Sequence, residues 1–70
     1  MPYYVACIWD EDGVHSSGYF DLIVGGWKEV QEWCKARGIR MPSEQDNIYG
    51  DPVYWWPKMK RNVSFSYVYK

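Results

Sequence analysis

The chain has 70 residues, a formal charge of −1, and a side-chain inventory that is 47% hydrophobic and 20% aromatic, with five Trp, seven Tyr and two Phe. A chain this short forms one domain, residues 1–70, and buries only about 60% of its unfolded surface. The ring content argues against disorder, and the balance of acids and bases excludes a net pull toward nucleic acid or an anionic membrane, leaving only local patches.

The stretch "YYVACIWD" (3–10) is rich in strand formers and apolar on both parities. Tyr3, Val5, Cys7 and Trp9 share one face; Tyr4, Ala6 and Ile8 share the other. It runs into "DEDG", where Asp12-Gly13 is a strong two-residue hairpin turn because both residues tolerate positive φ. "VHSSGYFDLI" (14–23) is the expected return strand, weakened or bulged at Gly18. In "GGWKEVQEWCKARG" (25–38), Trp27, Val30 and Cys34 recur at helical spacing and Trp33 widens the stripe. Gly26 serves as N-cap, and Gly38 suits a left-handed C-cap with Ile39 behind it. A helix starting at Asp21 is disfavoured, because Gly25 and Gly26 inside it would cost about 1 kcal/mol each.

"IRMPSEQDNIYGDP" (39–52) reads as connector, with at most one short turn capped by Ser43 after Pro42. "VYWW" (53–56) lies between Pro52 and Pro57, and a strand so bracketed belongs at a sheet edge. "KMKRN" (58–62) reads as a basic loop. "VSFSYVYK" (63–70) then alternates like a half-buried antiparallel strand, with Val63, Phe65, Tyr67 and Tyr69 on one face and Ser64, Ser66 and Val68 on the other. The sum is an α+β domain of order ββαββ, an antiparallel sheet of about four strands with one helix packed on it.

The neighbouring indoles of Trp55 and Trp56 expose a covering shortfall. Adjacent strand residues point to opposite faces. One helix of about 12 residues is about 18 Å long and about 10 Å across, whereas four strands about 4.8 Å apart make a sheet about 19 Å wide. One helix therefore covers part of one face and none of the other. Three arrangements resolve the shortfall: the connector 39–52 folds over the second face with Met41, Ile48 and Tyr49; two copies pack sheet to sheet as a homodimer; or the face and its proline-bracketed edge bind a partner, as aromatic patches rimmed with charge do.

No residue set predicts catalysis. His15 stands beside Ser16 and Ser17, but strand neighbours face opposite ways and no nucleophile elbow accompanies them. One His and two distant Cys fall short of a metal site, and nothing indicates a cofactor. Asp10, Glu11 and Asp12, with Asp21 nearby across the strands, form an acidic tip. A wet hairpin tip offers no cleft to hold a sugar, so its secondary role is an acidic patch for a basic partner surface. Lys58, Lys60 and Arg61 beside the indoles follow the general recipe for single-stranded nucleic acid, although three charges are few. Cys7 and Cys34 read as buried reduced thiols. With no signal peptide and no apolar run of membrane-spanning length, the expected location is cytoplasmic.

In layout, "YYVACIWDEDG…SSGYFD…EVQEWCKARG" resembles the small hairpin-plus-helix proteins encoded by bacteriophages and prophages. Some of these are anti-CRISPR proteins or inhibitors of host polymerases and nucleases. The likeness spans residues 1–38 and transfers no functional residue. It implies a non-enzymatic inhibitor that binds a host macromolecular complex. The residues expected to anchor a protein partner are Tyr54, Trp55 and Trp56, with Lys58, Lys60 and Arg61 as rim, since Trp, Tyr and Arg dominate hot spots. The alternative is a nucleic-acid-binding module using the same residues.

Overall fold

The structure, a computed structural model, describes residues 3–10, 18–50 and 52–68. Its elements in chain order are β1 (Tyr3–Asp10), β2 (Tyr19–Val24), α1 (Trp27–Arg37), α2 (Glu44–Tyr49), β3 (Tyr54–Trp56) and β4 (Arg61–Val68). The strands form one antiparallel sheet in the order β2-β1-β4-β3. The fold is α+β as the sequence predicts, but with two helices rather than one.

The polypeptide turns from β2 into α1 through Gly25, at φ 126°, where a Cβ would meet Glu29 Oε1 at 2.5 Å. That carboxylate accepts a hydrogen bond from the Gly26 amide at 3.2 Å, closing the first turn of the helix. At the other end Gly38 takes the left-handed conformation, and the Ile39 amide donates to the Cys34 carbonyl at 3.0 Å. Trp27, Val30, Trp33 and Cys34 are the buried stripe of α1, as their spacing requires.

Strand register sorts the side chains into two sets. On the helix side, Tyr4, Ala6 and Ile8 of β1 lie beside Ile23 of β2 and Val63 and Phe65 of β4, with Tyr54 of β3 next in line. All are buried, and together with Trp27, Val30, Trp33, Cys34 and Ile39 they form the core. Its rings meet edge to face: Phe65 lies 6.0 Å from Trp27 and 5.7 Å from Trp33, and Tyr4 5.3 Å from Trp27.

The connector also returns to the helix side. The Trp27 and Gln31 side chains both donate to the Pro42 carbonyl, at 3.2 and 3.3 Å, and the Asn47 amide of α2 donates to the Phe65 carbonyl at 3.3 Å. Met41, Ile48 and Tyr49 are exposed, so they do not cover the second face. Strand β4 begins two residues earlier than its alternation suggests, at Arg61. There Arg61 faces Asp10 in the ladder and pairs with it at 2.8 Å, and the Asn62 amide donates to the Asp10 carbonyl. Among the described residues no helix is long and apolar enough to cross a membrane.

Candidate functional site: the uncovered sheet face

The two adjacent indoles part company as strand geometry demands. Trp56 points to the helix side, half-buried and edge-on to Trp33 with centroids 5.7 Å apart. Its Nε1 is buried and makes no hydrogen bond. Trp55 points to the opposite side and is 43% exposed. It shares that side with a face that neither helix reaches.

Four cross-strand rows make up this face. Trp9, Asn62 and Trp55 form the first, with the Asn62 amide between two indoles; Phe20, Cys7 and Ser64 form the second; Leu22, Val5 and Ser66 the third; Val24, Tyr3 and Val68 the fourth. None of these side chains carries a charge. The apolar half lies toward β2, where Phe20, Leu22 and Val24 are 74%, 62% and 61% exposed. Soluble proteins rarely leave so continuous an apolar surface open unless it meets a partner.

The residues singled out in the sequence do not gather here as a group. Tyr54 is 4% exposed; its ring packs 5.8 Å from Phe65, and burial, followed by the charge of Asp46, raises its pKa. It is a core residue with no ring face free for a partner. Lys58 and Lys60 project from the turn between β3 and β4 and are exposed. Arg61 is not in that loop but in β4, held by Asp10, with its guanidinium 5.7 Å from the Tyr19 ring. Of the expected anchors, Trp55 alone lies on the uncovered face.

The acidic tip is divided as well. Asp10 closes β1 against Arg61, while Asp21 sits beside Ala6, accepts a hydrogen bond from Trp33 Nε1 at 3.0 Å and lies 3.8 Å from Arg37. Glu11, Asp12, His15, Ser16 and Ser17 lie outside the described residues, and with them the predicted Asp12-Gly13 turn. Cys34 is fully buried and burial pushes its thiol up to about 12, whereas Cys7 is half-buried on the uncovered face. The two thiols are on opposite sides of the sheet. Among the described residues no group of three or more metal-ligating side chains comes together.

Sequence reasoning missed Phe20, Leu22 and Val24. Their signal was present in "YFDLIV", where every second residue is apolar on each parity save Asp21. Such a strand has two faces to bury and receives cover on one. No protein-family model, curated protein or solved structure matches the chain.

Proposed function

We propose that this chain is a non-enzymatic protein-binding module that docks a partner on its uncovered sheet face. Acting in the cytosol, it would block a host macromolecular complex in the manner of phage-type inhibitors. One observation carries the reading: a face free of charge, apolar toward β2 and bearing Trp9 and Trp55 in its first row, that neither helix covers. Its composition matches the core of a protein interface, depleted in charge and enriched in aromatic residues. Trp55 and Phe20 are the anchors, and the exposed Lys58 and Lys60 of the turn that follows β3 supply the basic rim.

The nucleic-acid alternative draws on Trp55 together with the same two lysines. It is the weaker reading, because phosphate contacts supply most of the affinity in such complexes and the face itself offers no cation. Capture from a bacterial lysate separates the two. A folded Phe20→Lys/Trp55→Lys variant should lose the protein that the wild-type chain retains, and a Lys58→Ala/Lys60→Ala variant should keep it. Retention by the face variant contradicts the reading. Oligonucleotide binding that weakens with salt by a log–log slope of about 0.7 per contacted phosphate would favour the alternative.

A further inference from the structure

The two margins of the sheet differ in how they are protected. Strand β3 spans three residues and lies between Pro52 and Pro57, a guarded edge. Strand β2, at the other margin, is six residues long and among the described residues pairs with β1 alone. It has no proline and no lysine or arginine. Its one charge, Asp21, turns to the helix side, where Trp33 and Arg37 hold it. On the uncovered side it presents Phe20, Leu22 and Val24, each more exposed than Trp55 at the far margin of that face. An unguarded, apolar edge strand is a template for another strand.

We propose that β2 pairs antiparallel with β2 of a second copy, about a two-fold axis normal to the sheet at Leu22, making one eight-stranded sheet from two four-stranded ones. The strand complements itself, which favours a second copy as its partner. Residues directly opposite in an antiparallel pair share a face, so a register that keeps the two uncovered faces together is centred on one residue. Centring on Asp21 sets two carboxylates against each other, which destabilises the pair. Centring on Ile23 shortens the ladder and leaves Phe20 opposite Gly26. Centring on Leu22 sets Leu22 against Leu22 and Phe20 against Val24 twice, pairing an aromatic with a β-branched residue. It also sets each Asp21 against Ile23, so no like charges meet. A net charge of −1 per chain adds little repulsion.

A ladder of at most six residues per copy, which leaves the outward faces of Phe20, Leu22 and Val24 open, stays below the ~1,200 Å² of a standard interface, so the dimer is dissociable and its population rises with concentration. The pairing goes beyond the docking reading above and is independent of it: both uncovered faces remain open, side by side.

Directly opposed residues have Cα atoms about 4.5–5.5 Å apart, within the span a disulfide bridges. In a Cys7→Ser background, mild oxidation of concentrated protein should crosslink Leu22→Cys into a dimer on a non-reducing gel. Val24→Cys, equally exposed but facing Phe20, should remain single, and an equimolar mixture of Phe20→Cys and Val24→Cys chains should crosslink. Light scattering of the wild-type chain should show mass rising toward two copies with concentration. Leu22→Lys, which sets two ammonium groups across the axis, should abolish the rise, whereas Trp55→Lys, on the same face at the far margin, should preserve it. Equal crosslinking at positions 22 and 24, loss of the dimer in Trp55→Lys, or a monomer up to millimolar concentration would each overturn the pairing. A strictly monomeric chain that still retains its partner through the sheet face would end this inference and leave the docking reading intact.

Discussion

Truncating two phenylalanines, one on each side of the sheet, measures how unequal the two faces are. Phe65 is 5% exposed and meets the rings of Trp27, Trp33 and Tyr54 at centroid distances of 5.7–6.0 Å. Removing such a ring from a packed core costs about 3–5 kcal/mol in lost transfer energy and cavity. A domain of 70 residues has about 3.5–10 kcal/mol of stability in all, so Phe65→Ala leaves it marginal or unfolded. Phe20, 74% exposed, has only about a quarter of its surface covered. With full burial of such a side chain worth about 1.5–3 kcal/mol, Phe20→Ala loses about 0.4–0.8 kcal/mol. Its cross-strand contact with Cys7 brings the total to about 1 kcal/mol. Urea unfolding followed by tryptophan fluorescence should show a midpoint lowered by about 1 M or less for Phe20→Ala, with an unchanged slope. Phe65→Ala should lose most or all of its transition. A Phe20→Ala cost of about 3 kcal/mol, or equal costs at the two positions, would show that the β2 side of the sheet is covered and refute the reasoning.

Three further expectations follow from local chemistry. Cys34, Tyr4 and Tyr54 all have raised pKa values, in each case chiefly through burial, and Cys34 reaches about 12. The unfolded chain therefore gives up these protons first: the three groups add no pH dependence below about pH 8, and above about pH 9 they lower stability by up to about 1.4 kcal/mol per pH unit for each group titrating. Cys34→Ala should blunt the first part of that fall in pH-dependent melting, and an unchanged profile would contradict the assignment. Gly25→Ala should cost about 1–3 kcal/mol, because it strains a positive φ and displaces the Glu29 carboxylate, while Gly26→Ala, with nothing within 4 Å of its Cβ position, should cost less than about 1 kcal/mol. A thiol reagent on the native protein should label Cys7 and spare Cys34 until unfolding; labelling in the reverse order would be inconsistent with the two sides the structure gives them.

Much of the architecture was legible because it depends on period. The α1 stripe of Trp27, Val30 and Cys34, the Gly26 and Gly38 caps and the edge position of "VYWW" each follow from spacing or from proline chemistry. Of helix α2 only the start at Ser43 was legible, as a short turn; its length was not, since none of its residues is buried and it therefore writes no apolar stripe. Asn47 fastens it to a carbonyl of β4, a tertiary contact. Arg61 and Asn62 read as loop because they are polar, yet Asp10 draws both into the ladder, an instance of context overriding strand preference. The covering shortfall itself was legible from dimensions alone. Which residues bear it was not: sequence reasoning favoured Tyr54 for its position beside the indoles, and the parity that sends Trp55 outward sends Tyr54 and Trp56 to the helix side. The surplus fell on β2, whose neighbour across the hairpin occupies one edge and whose helix covers one face.

The sheet has one packed face and one open to solvent. Side-chain NMR with a soluble paramagnetic agent tests it most directly in dilute wild-type protein. The methyl signals of Leu22 and Val24 and the ring signals of Phe20 and Trp55 should broaden strongly, while those of Ile8, Val30 and Val63 should stay sharp. Comparable protection of Leu22 and Val30 would contradict the account.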